Sequence, residues 1–323
     1  MTSNRGCCAL LGVATLATTA VTGPGLARPA AAVEPRQPAA TSGEAAAAGR
    51  VALRERFAAS LREIAAGVDG VVGYLVVDLA SGERFAAHER VPFPTASTIK
   101  IAILYELYRQ ADEGRLALDT ARPLPAVARA AGSGVLGDLR APSLPLRDYA
   151  TLMILVSDNS ATNLLIDTVG MDRVNARMRA LGVEGLSLRR RMMDVDAARR
   201  GDENVATPDA LARLLDVIRT GEGLGAASRA AVLETLQKPK ATPITAGVPA
   251  GTPVAGKPGE LEGVRVDAGL VLVPGRPYAL VMMCAWLRDD AEGERAIEAS
   301  SRAAHAYFSR LAAGGDYGRL IPR

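Results

Sequence analysis

Hydrophobic positions along the chain predict a helix, two strands and then a long helical block. Residues 51–66 carry apolar side chains along one helical stripe, namely Val51, Leu53, Phe57, Leu61 and Ile64. The nearly continuous apolar run 71–79 predicts a strand, and residues 83–87 predict a second strand after a Ser-Gly turn. From Thr98 to about residue 236 the spacing is mostly helical.

Hydrophobic patterns in the rest of the chain predict further helices and strands. The patterns predict helices at 146–155, 159–167, 208–220 and 291–311 and a strand hairpin at 264–273 and 278–286. Strands therefore occur at both ends of the domain, and we expect them to form one sheet. Because hairpins join most of them, that sheet should be antiparallel.

This order of elements predicts an α/β fold. An antiparallel sheet, flanked by N- and C-terminal helices, comes from residues 50–95 and 237–323, and an all-helical lobe is inserted at 96–236. Pockets are common in the cleft between two such lobes, so we expect the active site there.

The first 49 residues have the composition of a leader and a linker. One arginine at position 5 precedes an apolar stretch from Cys7 to about Val21, followed by Gly, Pro and small residues. We predict a signal peptide at 1–32, a disordered linker at 33–49 and a catalytic domain at 50–323. The protein should then be secreted or lie in the periplasm or cell envelope, with no membrane span after cleavage. An uncleaved N-terminal anchor is the alternative.

Composition excludes several classes of partner. The net charge of +3 is spread along the chain without a basic run, so we expect no nucleic-acid partner. Cys284 lies within an apolar run, which favours a buried side chain over a nucleophile. His88 and His305 have no ligand-spaced partners, and we predict neither metal nor cofactor. We expect a monomer that acts on a small molecule.

Lysine is rare in this chain, which has 38 lysines and arginines together. The four lysines are Lys100, Lys238, Lys240 and Lys257. Two of them lie in short motifs, S-x-x-K at 97–100 and K-P-G at 257–259, and S-D-N lies between these at 157–159. Since a desolvated lysine can release its proton and arginine cannot, we interpret the motif lysines as sites of proton transfer or compact charge.

In order and spacing, the three motifs resemble the serine β-lactamase and D,D-peptidase superfamily, and specifically its class A-like branch. S-x-x-K, S-D-N and K-T-G together are typical of these enzymes. The resemblance covers essentially all of residues 50–323. It implies a β-lactamase/transpeptidase-like fold and a small-molecule substrate, either a β-lactam or a D-amino-acid peptide.

Ser97 and Lys100 are the predicted nucleophile and general base. Ser97 begins an apolar helix, whose N-terminus favours developing negative charge, and Lys100 follows one turn later on the same side. Burial would lower the proton affinity of the Lys100 amine and let it accept the Ser97 proton. An N-capping role for Ser97 is compatible with this one.

The resemblance implies further roles around the nucleophile. Ser157 would relay a proton to the leaving nitrogen, Asn159 would contact the acylamide side chain of the substrate, and Asn163 would tie down the following loop. Lys257 would supply positive charge to Ser157 and to a substrate carboxylate. For S-D-N, an ordinary turn is the structural alternative.

The strand that begins with the third motif completes the predicted substrate site. Pro258, Gly259 and Glu260 follow Lys257, and the N–H groups of Ser97 and Glu260 would form the oxyanion hole. Arg265, on the next strand, would hold the substrate carboxylate bidentately, with a surface charge as the alternative.

Two positions depart from the family pattern. Pro258 replaces a hydroxyl residue that helps bind the substrate carboxylate, although an edge strand tolerates proline there. The Ω-loop glutamate that serves class A enzymes as deacylation base has no counterpart in residues 189–196. Counting from Asn159 places it near Met193, and counting back from Pro208 places it near Arg191. Asp194 is the nearest carboxylate and the candidate substitute, and a salt bridge to a neighbouring arginine is its alternative role.

Three functions stay open at this point. The first is a β-lactamase-like hydrolase that works through an acylated Ser97. The second is a D,D-peptidase-like cell-wall enzyme, which fits the missing glutamate because such enzymes do without it. The third is a penicillin-binding or sensing module that is acylated once and does not turn over.

Overall fold

The computed structural model describes residues 42–315 and 317–319, and the predicted signal peptide 1–32 lies outside them. Helix α1 spans Ser42–Ala66, so the predicted linker 33–49 is helical from Ser42 onward. The run of alanines at 45–48 explains this difference, because alanine has the highest intrinsic helix propensity. None of the described helices is long and apolar enough to cross a bilayer.

The remaining elements follow the predicted order. The strands are β1 (Val71–Asp78), β2 (Arg84–Ala87), β3 (Phe93–Pro94), β4 (Ala121–Pro123), β5 (Ser143–Pro145), β6 (Val205–Ala206), β7 (Val254–Leu261), β8 (Val264–Val271) and β9 (Tyr278–Ala285). The helices after α1 are α2 (Lys100–Asp112), α3 (Leu146–Leu155), α4 (Asn159–Val169), α5 (Met171–Ala180), α6 (Val195–Arg199), α7 (Pro208–Thr220), α8 (Ala226–Gln237), α9 (Pro243–Ala246) and α10 (Asp290–Ala313).

Strands from both ends of the domain form one five-stranded sheet, as predicted. Its order is β2-β1-β9-β8-β7, and every neighbouring pair is antiparallel. Strand β7 lies at an edge of this sheet, which leaves one side of its backbone open for other contacts.

Apolar side chains are buried on both faces of the sheet. Alternate residues of β9 point to opposite faces. Tyr278 stacks on Phe308 of α10, whereas Val281 belongs to the core shared with the helical lobe. Burial on both faces explains why these strands are continuous apolar runs in the sequence. Cys284 is buried as predicted, and burial raises the pKa of its thiol to about 12.

Helix α2 runs through the centre of the helical lobe and is buried over almost its whole length. One of its buried side chains is Glu106, whose carboxylate lies 3.0 Å from Arg177 Nε of α5. Arg177 also contacts Glu113 at 2.7 Å. This arginine therefore pairs with Glu106 of α2 and with Glu113 at its C-terminal end, and it fastens α5 to the helix that carries Lys100.

We expect Arg177→Met to lower the free energy of unfolding by about 3 kcal/mol, because it leaves the buried Glu106 carboxylate unpaired. Urea denaturation measures this loss. The double variant Arg177→Met/Glu106→Gln should recover part of the stability. Arg199→Met, which breaks an exposed ion pair with Asp196, is the control and should change stability by less than about 1 kcal/mol. An Arg177→Met effect as small as that of the control would contradict the prediction.

Candidate active site

The turn that carries Ser97 packs against the open edge of β7. A 3₁₀ turn at Ala96–Ile99 runs directly into α2, so Ser97 lies at the start of an apolar helix, as predicted. A Cβ atom on Gly259 of β7 would lie 2.6 Å from the Thr95 carbonyl oxygen and 2.8 Å from the Ser97 backbone nitrogen. Only a residue without a side chain permits this approach. Gly259 therefore sets the distance between the strand and the serine.

A chain of hydrogen bonds joins Ser97 to Lys100 through Ser157. The Oγ atoms of Ser97 and Ser157 are 2.8 Å apart, and Lys100 Nζ lies 2.9 Å from Ser157 Oγ. Lys100 also donates to the Ser157 carbonyl oxygen at 2.8 Å and to Asn159 Oδ1 at 3.0 Å. The first two motifs thus meet at one point, with Ser157 as the bridge between the predicted nucleophile and base.

Burial alters the proton affinity of both motif lysines. Lys100 is fully buried, and this desolvation, together with the positive charge of Lys257, holds its pKa well below the usual range. Asp158 opposes the shift. Burial also lowers the pKa of Lys257 to about 8, against the attraction of Asp267. Burial thus favours the neutral form of Lys100, as a general base requires.

The S-D-N turn is held by the carboxylate of Asp158. It accepts hydrogen bonds from the N–H groups of Ala161, Val135 and Leu136 at 2.7–2.8 Å. The bond from Ala161 caps the N-terminus of α4. The bonds from Val135 and Leu136 hold the loop that contains these residues against the S-D-N turn. A side chain on Gly134 would overlap Asp158, so the loop depends on glycine there.

Strained backbone is concentrated around this site. In the described part of the chain, five non-glycine residues have positive φ, and three of them flank the site: Ala96 (46°), Ser157 (55°) and Met193 (60°). Left-handed backbone costs a non-glycine residue about 1–3 kcal/mol and persists where the surroundings impose it. Ala96 directly precedes Ser97, and Ser157 is the middle member of the hydrogen-bonded chain from Ser97 to Lys100.

Strand β7 places the third motif beside the nucleophile. Lys257 is buried and its Nζ donates to the Pro258 carbonyl oxygen at 2.8 Å. Pro258 pairs with Asp267 in the register of β7 and β8, and the strand runs through it without interruption. The Glu260 side chain is exposed. Proline is thus accommodated in the edge strand, as expected.

Arg265 is not available in the way predicted. Its guanidinium forms ion pairs with Glu294 at 2.8 Å and with Asp290 at 3.2 Å, both on α10. It also donates to the carbonyl oxygens of Leu261 and Val264. Arg265 fastens α10 to the sheet, and the prediction that it holds a substrate carboxylate is corrected accordingly.

The loop between α5 and α6 presents no carboxylate at its centre. Asn163 of α4 binds both backbone groups of Met192, with Oδ1 accepting at 2.8 Å and Nδ2 donating at 3.3 Å. Asn163 therefore ties down this loop, as the resemblance implied. Counting along the sequence placed the family glutamate near Arg191 or Met193, and Met192 lies between these two positions. Its side chain is buried in the core of the helical lobe.

Asp194 has a structural role in this loop. Its side chain is exposed and accepts from the Ala197 N–H at 2.9 Å, which caps α6. It makes no hydrogen bond to Ser97, Ser157 or Lys100 in the part of the chain that the structure describes. The predicted use of Asp194 as deacylation base is replaced by this N-cap, a position that aspartate favours.

Comparison with known proteins agrees with this geometry. The model of the Beta-lactamase enzyme family matches residues 56–308. The chain belongs to this family. It is 31% identical over 242 residues to a β-lactamase of Amycolatopsis lactamdurans, a match that covers 71% of this chain and 76% of that protein. β-Lactamase L2 of Stenotrophomonas maltophilia is 30% identical over 164 residues, covering 50% of this chain and 54% of that one.

Solved β-lactamase-like structures share the fold. A β-lactamase from Sphaerobacter thermophilus superposes with a TM-score of 0.70 at 35% identity, covering 77% of this chain and 95% of that one. PBP-A superposes with a TM-score of 0.74 at 28% identity, covering 79% and 97%. The protein is therefore a β-lactamase-like hydrolase with the β-lactamase/transpeptidase-like fold.

Most of the predicted site residues meet in the β-lactamase-like cleft. Ser97, Lys100, Ser157 and Asn159 form one hydrogen-bonded group, and β7 packs against it through Gly259. Arg265 instead forms ion pairs with α10, and Asp194 caps α6. The sequence reasoning did not identify Lys240, whose charge acts on Lys257, although the scarcity of lysine was a signal for it. No group of three or more potential metal ligands occurs within the described residues.

We expect Asp194→Asn to leave stability and the rate of β-lactam hydrolysis unchanged, because asparagine caps a helix as well as aspartate. Asp194→Ala should lose about 1 kcal/mol of stability without loss of activity. Thermal unfolding and hydrolysis of a chromogenic cephalosporin measure the two effects. A slower rate in the well-folded Asp194→Asn protein would restore Asp194 as a catalytic base.

Proposed function

We propose that the protein hydrolyses β-lactams, or related amides and esters, through an acyl-enzyme at Ser97. The observation that carries this proposal is the hydrogen-bonded chain Ser97–Ser157–Lys100 ending at a fully buried amine. A mutant of PBP-A was solved as an acyl-enzyme complex with penicillin G, at 28% identity and a TM-score of 0.73 to this chain. The predicted signal peptide supports the further proposal that the enzyme acts outside the cytoplasm.

Acylation begins with a proton transfer along the chain. When Lys100 is neutral, Ser97 Oγ–H donates to Ser157 Oγ, and Ser157 passes its own proton to Lys100 Nζ. Ser97 Oγ then bonds to the carbonyl carbon, and the electron pair of the carbonyl moves to its oxygen. As the C–N bond breaks, the leaving nitrogen takes a proton back from Lys100 through Ser157. Serine hydroxyls can reorient for both directions of transfer.

The edge of β7 supports the developing negative charge. Gly259 brings the strand against the Ser97 backbone nitrogen, so that the N–H of the next residue, Glu260, stands with that of Ser97 as the proposed oxyanion hole. Two such donors stabilise the transition state by several kcal/mol in enzymes of this kind. Lys257 adds a buried positive charge beside them.

Hydrolysis of the acyl-enzyme is the slower half of the proposed reaction. A base must activate the water, and the loop that Asn163 holds offers the apolar Met192 in its place. This observation favours a second candidate function, a D,D-peptidase-like or penicillin-binding protein with a long-lived adduct. Intact-protein mass spectrometry with penicillin G distinguishes the two by the lifetime of the adduct.

We expect Ser97→Ala to abolish the covalent adduct with penicillin G, since it removes the proposed nucleophilic oxygen. Lys100→Arg should reduce the rate of adduct formation by about 10²–10⁴-fold, because arginine keeps the charge but cannot accept a proton. Time-resolved mass spectrometry of the full chain measures both. An adduct on the Ser97→Ala protein would remove the nucleophile assignment.

The pH profile of acylation tests the role of Lys257. Its pKa of about 8 means that its positive charge is lost as the pH rises through that value. We expect the wild-type rate to fall above about pH 8. Lys257→Arg should move this alkaline limb upward, because arginine does not titrate there. An alkaline limb at the same pH in both proteins would show that another group titrates.

A further inference from the structure

Two of the four lysines have no part in the chemistry above, and both line a cavity. Lys238 and Lys240 directly follow α8, and the cavity beside them has a volume of about 700 Å³. Strand β7 and helix α9 form its other walls. Its polar lining includes Gln237, Thr242, Thr245 and Asp267.

Lys240 places its amine at the wall of this cavity. Nζ donates to the carbonyl oxygens of Leu236 and Lys238, which closes the C-terminus of α8. An ammonium has three N–H donors, and within the described residues these two carbonyls are its hydrogen-bond partners. One donor is left for a ligand. Burial lowers the pKa of Lys240 to about 8, so the group is charged at neutral pH.

The charges around the cavity favour an anion. Lys240 and Lys257 are close enough for the charge of one to lower the pKa of the other. The buried carboxylate of Asp267 lines the same cavity and accepts from the Ile244 N–H at 3.0 Å. Lys238 lies 3.6 Å from Glu234. Among the described residues that line the cavity, the half-buried Lys240 and Lys238 are the cations and Asp267 is the carboxylate, which leaves a net positive charge on the lining.

The cavity continues the line of substrate contacts along β7. Along β7, Glu260 carries the proposed oxyanion donor, and Pro258 would lie near the leaving group of the substrate. Two residues before Pro258, Gly256 lines the cavity. At about 3.3 Å per residue, Gly256 lies about 7 Å beyond Pro258 and on the side away from Glu260. A substituent on the leaving-group side of the substrate therefore extends toward Lys240.

Of the predicted contacts to a substrate carboxylate, Lys257 remains in place and the others are missing. Pro258 has no hydroxyl, and Arg265 is occupied by Asp290 and Glu294. Lys257 and Lys240 both retain N–H donors, and Lys240 is the one that lines the cavity.

We infer that this cavity selects substrates with an anionic group on the leaving-group side, about 7 Å beyond Pro258, and that Lys240 binds that group. The inference rests on the proposed acylation of Ser97. It assigns Lys240 a role in specificity and none in the chemical step.

Three cephalosporins test the assignment. Ceftriaxone, cefotaxime and cefepime share the acyl side chain and the ring carboxylate and differ at the C-3 substituent, which is anionic, neutral and cationic in turn. We expect ceftriaxone to acylate the wild-type protein about tenfold faster than cefotaxime, with cefepime slowest, as one partly buried ion pair would produce. High salt should reduce the difference.

Lys240→Gln should equalise ceftriaxone and cefotaxime, since the amide can still donate to two carbonyls but carries no charge. Lys240→Arg should retain the order, and Lys238→Gln is the matched control that should also retain it. Equal rates for the three compounds in the wild type, or an unchanged order in a folded Lys240→Gln protein, would overturn the inference. Absence of both an adduct and hydrolysis with all three compounds would instead overturn the proposed acylation of Ser97, and this inference with it.

Discussion

The burial of Lys100 is the constraint on which the site depends. A lysine removed from water without a carboxylate partner is costly, and part of that cost is relieved when the amine gives up its proton. Lys100 has no ion-pair partner in the described part of the chain, and its contacts are the neutral oxygens of Ser157 and Asn159. The same environment that penalises the charged amine favours the neutral form that the proposed base requires. The stability of the remaining fold must offset this cost.

The architecture explains how a buried amine is kept beside an accessible serine. Ser97 and Lys100 lie on one turn entering α2, but only the serine reaches the edge of β7, where Gly259 admits it. The strained Ser157 then links the serine to the lysine through its hydroxyl. Lys100 is fully buried at the start of α2, and this helix is itself buried over almost its whole length and held by Arg177.

The fold and the reacting group could be predicted from the sequence because both depend on periodic patterns and closely spaced motifs. Hydrophobic spacing determined the elements, and motif order brought Ser97, Lys100 and Ser157 together. Arg265 could not be placed in this way, because its partners Asp290 and Glu294 belong to a helix whose packing on the sheet is a tertiary property. Asp194 was misassigned because a short helix begins after it, and a five-residue helix leaves little periodic signal.

In the proposed reaction, the loop held by Asn163 would affect hydrolysis of the acyl-enzyme and not its formation. Asn163 forms hydrogen bonds with the backbone N–H and C=O of Met192. Backbone contacts of this kind do not depend on which side chain the loop residue carries. The loop can therefore keep its path while losing the carboxylate that activates water. The proposed acylation uses groups on the 3₁₀ turn before α2, on α2, on the S-D-N turn and on β7, and none on this loop. Substitution at one loop position could thus change the fate of the acyl-enzyme while its formation is unaffected, so the two halves of the reaction are free to evolve separately on this fold.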